Sequence, residues 1–282
     1  MKQARRRVRV AAVDAGSNAT RLLLGEWQGG GVFVEEMFLR VPLRLGGDGG
    51  GVWSAQKIRK LAMILRAYGI ILKAAAPDDW QAVATAALRE CDNRREVLAS
   101  VKRISGIRLR VLSGREEAEL AGRFVASSFA GRLVLNMDTG GGSTDCAVVK
   151  KGKVLAAESF DIGTARRTGA RAKAQMQLWL RQQAAMHKNI VLTGSGGSVR
   201  ALEKMCGGTI DKKALTKLLP VVAKMTPSLR ARRFGLAADR AASVVPAMRI
   251  YLCALESTNA PRLHAIAGGL CQAVITDIAA RF

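Results

Sequence analysis

The chain has 282 residues, and 45 lysines and arginines against 22 acidic residues give it a formal net charge of +23 at pH 7. Apolar residues make up 49% of it, which excludes the disordered class and allows one large domain or two of ordinary size. The charge favours polyanionic partners such as phosphate chains, nucleotides, nucleic acid or an acidic membrane surface, unless the whole proteome is simply basic.

Cysteine and histidine are too few and too scattered for several kinds of site. Five cysteines without a CxxC pair argue against a disulfide scaffold or a zinc cluster, and two histidines against a His-rich metal site or a Ser-His-Asp triad. No apolar run approaches the ~20 residues of a membrane span, and the N-terminal run is too short for a secretory signal. We therefore expect a cytoplasmic protein without a membrane partner.

Hydrophobic periodicity predicts alternating strands and helices in the first part of the chain. In chain order, the predicted elements are strands at 8–13, 21–27 and 32–39, a helix from Ser54, a strand at 81–85, a helix from Asp92 and a strand at 107–111. The capping box Ser113-Gly-Arg-Glu116 then predicts a helix that ends near Ser127.

The second part of the chain begins by repeating the opening pattern. The predicted elements are strands at 132–137, 145–149, 154–160 and 189–193 and helices at 172–186, 199–205, 215–222, 241–255 and 270–278. Both parts begin with a strand that ends at an aspartate, Asp14 or Asp138, followed by a glycine-bearing turn and two more strands. This repetition predicts an internal duplication that gives two similar α/β domains facing one cleft.

Three glycine-rich loops follow predicted strands, at 14–18, 138–144 and 193–198. Backbone N–H groups of such loops can converge on a phosphate, and serine and threonine hydroxyls add donors. One such loop is weak evidence, because a tight turn also requires glycine. Three loops at corresponding places favour phosphate binding. Asp14 and Asp138 can bind Mg²⁺, which takes one or two carboxylates with phosphate oxygens and water, although an aspartate there can also cap a turn.

Two further charged side chains are candidates. Glu116 fits the capping-box position and is expected to have a structural role. Glu117 points about 100° away around the helix, where it can activate a water. The alternative for Glu117 is an ordinary solvent-exposed helix residue. Arg89 follows a strand-to-helix turn and can clamp phosphate oxygens, unless it is an ordinary surface arginine. The chain has no G-x-x-x-x-G-K-[ST] loop and no nucleic-acid-binding motif, so a P-loop NTPase and the usual nucleic-acid modules are not supported.

Five motifs carry a resemblance to a known family. They are Val13-Asp-Ala-Gly-Ser-Asn-Ala-Thr-Arg21, Ala84-Thr-Ala-Ala-Leu-Arg89, Leu112-Ser-Gly-Arg-Glu-Glu-Ala118, Asp138-Thr-Gly-Gly-Gly-Ser-Thr-Asp145 and Gly194-Ser-Gly-Gly197. In this order they resemble the exopolyphosphatase and guanosine pentaphosphate phosphohydrolase (Ppx/GppA) family of the actin-like superfamily, in a short two-domain form. The family pattern has a glutamate where this chain has Asp145.

The resemblance implies an α/β fold of two actin-like (ribonuclease H-like) domains with mixed sheets flanked by helices. We expect the domains at residues 1–125 and 126–282, the active site in the cleft between them, and a last helix from about residue 270 that returns to the first domain.

The resemblance also implies roles for individual residues. The catalytic residues would be Glu117, as the base, and Asp138. Mg²⁺, with Mn²⁺ as a possible substitute, would be bound by Asp14, Asp138 and Asp145. The phosphate-binding residues would be Gly16, Ser17, Asn18, Arg21, Arg89, Gly140, Gly141, Gly142, Ser143, Thr144, Gly196 and Gly197.

The predicted function is that of an exopolyphosphatase, which releases terminal phosphate from polyphosphate by Mg²⁺-dependent in-line attack of water. One alternative is a pppGpp 5′-phosphohydrolase with the same core. Another is a protein that binds polyphosphate or a nucleotide without turnover. A homodimer is a possible assembly.

Overall fold

The computed structural model describes residues 7–28, 32–46, 51–129, 131–166 and 169–282. Ten strands and ten helices lie in these ranges. The strands are β1 (Val8–Ala15), β2 (Ala19–Trp27), β3 (Phe33–Pro42), β4 (Asp79–Ala84), β5 (Arg110–Val111), β6 (Leu133–Thr139), β7 (Thr144–Lys150), β8 (Lys153–Phe160), β9 (Val191–Ser195) and β10 (His264–Ala265). The helices are α1 (Ala55–Ala75), α2 (Ala86–Arg89), α3 (Arg94–Ser105), α4 (Gly114–Ala126), α5 (Ala170–Met186), α6 (Gly196–Met205), α7 (Lys212–Ala223), α8 (Pro227–Phe234), α9 (Ala238–Thr258) and α10 (Leu270–Ala279).

The chain divides into two compact units. Unit 1 consists of the chain up to Ser113 together with Leu270–Phe282, and unit 2 is Gly114–Gly269. Unit 1 has a five-stranded sheet in the order β3-β2-β1-β4-β5, and unit 2 has one in the order β8-β7-β6-β9-β10. Each sheet is mixed and has helices packed against it, which confirms the predicted α/β class.

The two sheets have the same strand directions as well as the same order. In each unit the first three strands are antiparallel neighbours, and the next two run parallel to the first. Asp14 and Asp138 are the last residue but one of β1 and β6, the corresponding central strands. The architecture is therefore what the predicted duplication requires.

Each unit has its own hydrophobic core. In unit 1 the amphipathic helix α1 begins after Ser54, whose side chain accepts a hydrogen bond from Lys57 N, and it buries Leu61, Leu65 and Leu72 beside β1 and β2. In unit 2 the core lies among β6, β7, α6 and α9, with Tyr251 of α9 fully buried. None of the described helices is both long enough and apolar enough to span a membrane.

The unit boundary differs from the predicted domain boundary at residue 125. Helix α4 was expected in the first domain but lies in unit 2, where it packs against β6, β7 and β8. Gly122 allows this close packing, because a Cβ there would lie 2.6 Å from the Cβ of Ala147. Helix α10, at the C-terminal end, packs against β1, β2 and β4 of unit 1.

Three short elements were not predicted, namely α2, α8 and β10. Elements this short do not repeat a hydrophobic period often enough to be recognised. The strand predicted at 107–111 is shorter in the structure, because only Arg110 and Val111 pair with β4 although Ile107 and Leu109 are buried.

Candidate active site

The first phosphate loop, in unit 1, contains an ion pair between neighbouring strands. Asp14 on β1 lies directly opposite Arg21 on β2, and the Arg21 guanidinium donates a hydrogen bond to Oδ2 of Asp14. Asp14 is only 3% exposed, and this burial raises the pKa of its carboxyl group, while the positive charge of Arg21 opposes the shift. Oδ1 of Asp14 is buried without a hydrogen-bond partner, which suits an oxygen that binds a cation or a water.

The loop after Asp14 is tied to the segment that follows β3. The carbonyl oxygen of Ser17 accepts hydrogen bonds from Leu45 N at 2.8 Å and Gly46 N at 3.1 Å. A Cβ on Gly46 would lie 2.9 Å from the Cβ of Ser17, and one on Gly16 would lie 3.2 Å from Nη1 of Arg21. Both glycines therefore permit a compact loop around the ion pair.

Asn18 and Arg89 are also in unit 1. The carbonyl oxygen of Asn18 accepts a hydrogen bond from Leu43 N at 3.1 Å. Arg89, the last residue of α2, is partly buried and donates from Nη1 to the carbonyl oxygen of Leu112 at 3.1 Å. These hydrogen bonds tie Asn18 and Arg89 to neighbouring backbone segments of unit 1. That the two residues contact phosphate stays a prediction.

Removal of the Arg21 charge should destabilise unit 1 strongly. In Arg21→Gln the Asp14 carboxylate stays buried without its cation, and we expect a loss of about 3 kcal/mol in the free energy of unfolding near neutral pH. The control Arg9→Gln, which breaks an exposed pair with Glu36, should cost about 1 kcal/mol or less.

The loss in Arg21→Gln should also depend on pH. A raised pKa means that the folded state binds the Asp14 proton more tightly than the unfolded state, so ionisation of Asp14 above about pH 4 lowers stability. Without Arg21 the pKa rises further, and the difference from wild type grows as the pH rises. Urea titrations at several pH values measure this, and a difference independent of pH would contradict this account of the pair.

Unit 2 has two carboxylates where unit 1 has an ion pair. Asp138 on β6 lies directly opposite Asp145 on β7, the same arrangement as Asp14 and Arg21, so both side chains are on one face of the sheet. Asp145 is 2% exposed and accepts hydrogen bonds from Ser143 Oγ at 3.0 Å and from Ser159 Oγ. Two facing carboxylates are the donor set that Mg²⁺ takes from proteins. In the described ranges, His, Cys, Asp and Glu side chains do not form a metal-binding group of three or more.

A chain of buried polar groups orients Asp138. Ser195 Oγ donates to Asp138 Oδ2 at 3.1 Å, Asn136 Nδ2 donates to Ser195 Oγ at 3.2 Å, and Thr193 Oγ1 donates to Asn136 Oδ1 at 3.1 Å. Asn136, Thr193 and Ser195 have no exposed surface. Such a connected network holds its last member in one orientation. Sequence reasoning missed these residues, although polar side chains inside two apolar strands were an available signal.

The second phosphate loop, residues 140–144, packs against the segment after β8. Thr164 N donates to the Gly140 carbonyl oxygen and Ala165 N to that of Gly141, both at 2.9 Å, and Thr144 Oγ1 donates to the carbonyl oxygen of Ile162 at 2.7 Å. A Cβ on Gly163 would lie 2.2 Å from the carbonyl oxygen of Gly141 and 2.6 Å from Gly142 N. Gly163, which the sequence did not single out, is therefore required for this packing.

The third loop brings the N-terminus of α6 to Asp138. Gly196 has φ +80°, and a Cβ there would lie 2.9 Å from Asp138 Oδ1. A Cβ on Gly197 would lie 2.4 Å from Nη2 of Arg240, so a guanidinium that sequence reasoning missed lies against this loop. Ser198 Oγ donates to the carbonyl oxygen of Thr139 at 2.9 Å, which ties α6 to β6.

Glu117 lies in the first turn of α4, in unit 2. It is partly buried, whereas its neighbour Glu116 is exposed. This difference agrees with the predicted separation of the two side chains around the helix. Of the predicted site residues, unit 2 therefore contains both catalytic candidates, Asp145 and two of the glycine loops, and unit 1 contains Asp14, Arg21, Arg89 and the first loop.

Comparison with known proteins agrees with these arrangements. The family model described as the Ppx/GppA phosphatase family matches residues 34–282. "Exopolyphosphatase 1" of Mycobacterium leprae is 28% identical over 271 residues, covering 84% of this chain and 80% of that protein. "Exopolyphosphatase 2" of Mycobacterium tuberculosis is 33% identical over 173 residues, covering 57% of this chain and 54% of that protein.

Solved structures confirm the actin-like fold. The Ppx/GppA enzyme of Aquifex aeolicus matches with a TM-score of 0.79 at 22% identity, over 96% of this chain and 100% of that one. An exopolyphosphatase from Cytophaga hutchinsonii matches with a TM-score of 0.83 at 20% identity, over 97% of this chain and 98% of that one. On the family match and the named relatives, the chain is a phosphoanhydride hydrolase and belongs to the Ppx/GppA phosphatase family.

Proposed function

We propose that this protein is an exopolyphosphatase, which releases the terminal phosphate of inorganic polyphosphate. The observation that best supports the proposal is the pair of facing carboxylates, Asp138 and Asp145, beside glycine loops held by buried hydrogen bonds. Loops of this kind present backbone donors to phosphate oxygens, and carboxylates bind the Mg²⁺ that accompanies a phosphate chain.

The proposed reaction is an in-line displacement. A water oxygen attacks the terminal phosphorus, the bond to the bridging oxygen breaks, and orthophosphate leaves a chain that is one unit shorter. Glu117 takes the proton from the attacking water as general base. Asp138, oriented by Ser195, holds the water and the metal, while residues 140–144 and 196–197 bind the terminal phosphoryl group. In unit 1, Asp14, Arg21, Arg89 and residues 16–18 are proposed to contact phosphate.

The proposed metal is Mg²⁺, bound by Asp138 and Asp145 of unit 2. When bound, it neutralises charge that develops on the phosphoryl oxygens. EDTA should therefore abolish phosphate release, and Mg²⁺ or Mn²⁺ added in excess should restore it. Full release in the presence of EDTA would rule out this part of the proposal.

Polyphosphate is the favoured substrate because of the charge of the chain and the names of the relatives. A net charge of +23 attracts a long polyanion more than a single nucleotide, and the M. leprae and M. tuberculosis relatives are named as exopolyphosphatases. The alternative substrate, pppGpp, has the same terminal phosphoanhydride. A comparison of kcat/KM for the two distinguishes them. We expect polyphosphate to be preferred, and its KM to rise steeply with salt; a preference for pppGpp would reassign the substrate.

A further inference from the structure

A basic groove lies in unit 1 between helices α1 and α3. It encloses about 530 Å³, and its charged lining residues are Arg59, Arg66 and Arg103 together with Glu96. Arg59, Arg66 and Arg103 are exposed, and within the described part of the chain none of the three forms an ion pair. The groove has no residue in common with the candidate active site. We propose that it is an accessory site that binds a distant part of the polyphosphate chain, an inference that rests on the proposed function.

Charge on the two helices supports a polyanionic ligand. Helix α1 has five basic and no acidic residues, and α3 has four basic residues and one acidic residue, Glu96. The carboxylate of Glu96 accepts a hydrogen bond from Asn93 Nδ2 at 2.9 Å. Three guanidinium groups therefore face a single carboxylate, and the groove attracts anions.

Spacing of the arginines indicates an extended ligand. Arg59 and Arg66 are seven residues apart in α1, which places them on one face about 10.5 Å apart along the axis. Arg103 is on the opposite wall, on α3. A chain with a charge on every unit can contact both arginines of α1 along this length.

The lining also separates polyphosphate from nucleic acid. None of the described lining residues is aromatic, and the apolar ones are Ala55, Ile58, Met63 and Ile104. Proteins that bind single-stranded nucleic acid without sequence preference stack its bases on aromatic side chains. The groove offers guanidinium groups for a phosphate backbone but no stacking surface, so an inorganic chain fits it better than RNA.

The test is a comparison of two double charge reversals in the full-length chain. Arg59→Glu with Arg66→Glu reverses the sign of the groove charge, and Lys213→Glu with Lys217→Glu makes the same change in net charge on exposed residues of α7. Binding of long-chain polyphosphate is measured in the Glu117→Gln background, so that the ligand is not hydrolysed during the measurement. We expect the groove variant to weaken binding about tenfold and to lower the salt slope by about one to two, and the α7 variant to weaken it less than threefold.

Steady-state turnover supplies a second readout. The groove variant should raise KM for long-chain polyphosphate more than KM for tripolyphosphate, because a long chain has many more phosphate units with which to bind the arginines. Equal weakening in both variants would overturn the proposal in favour of a general charge effect. If the groove variant loses RNA binding but keeps polyphosphate binding, the groove is a nucleic-acid site instead. If the wild-type protein hydrolyses no polyphosphate, the proposed function is wrong. The binding comparison then still shows whether the groove binds polyphosphate.

Discussion

Glu117→Gln should lower kcat for polyphosphate by a factor of about 10³ and leave KM nearly unchanged. The amide keeps the size of the side chain but cannot accept the proton of the attacking water, and a positioned general base contributes about 10² to 10⁴ to a rate. Binding depends on the loops and the cationic residues, which the substitution does not alter. Steady-state phosphate release with long-chain polyphosphate measures both constants.

Glu116→Gln is the matched control, because it makes the same chemical change one residue away. Glu116 is exposed in the first turn of α4, where its charge stabilises the N-terminus of the helix only slightly. We expect its kcat to stay within about twofold of wild type. Wild-type turnover in Glu117→Gln, or equal losses in the two variants, would remove Glu117 from the role of base.

Gly163→Ala should reduce kcat about 10²-fold and destabilise the protein by about 1–3 kcal/mol. The new Cβ would lie 2.2 Å from the carbonyl oxygen of Gly141 and 2.6 Å from Gly142 N, both backbone atoms of the second phosphate loop. The loop must move away, and a displacement of about 1 Å is enough to cost this much rate. Phosphate release and thermal unfolding of the same preparation measure the two effects.

The control for this substitution is Gly169→Ala. Gly169 precedes α5 with φ −71°, and a Cβ there would meet nothing within 4 Å. We expect activity like that of wild type and a loss of stability of about 1 kcal/mol or less, because alanine is a poorer N-cap than glycine. A fully active Gly163→Ala variant would show that the position of residues 140–142 does not limit catalysis.

Features encoded in short stretches of sequence were predicted well. The duplicated pattern around Asp14 and Asp138 was visible because strand, aspartate and glycine turn follow one another directly, and the two sheets have the same order. The candidate loops belong to these stretches too. The roles assigned to Glu117, Asp138 and the phosphate-binding residues stay predictions that the variants above test.

Contacts between distant parts of the chain could not be predicted. Ser195 reaches Asp138 through the parallel pairing of β6 and β9, and Ser159 reaches Asp145 through the register of β7 and β8. The close packing of Gly163 on the second loop likewise depends on the path of the chain after β8. The division after Ser113 is not marked in the sequence, because α4 follows β5 after only two residues, without a linker.

The chain length of the products during hydrolysis of long-chain polyphosphate tests the proposed function most directly. Samples taken at low conversion with Mg²⁺ are separated by gel electrophoresis, and free orthophosphate is measured in parallel. The account predicts that orthophosphate is the only small product and that the remaining chains shorten from their ends. Chains of intermediate length without matching orthophosphate, or no cleavage at all with binding retained, would contradict it.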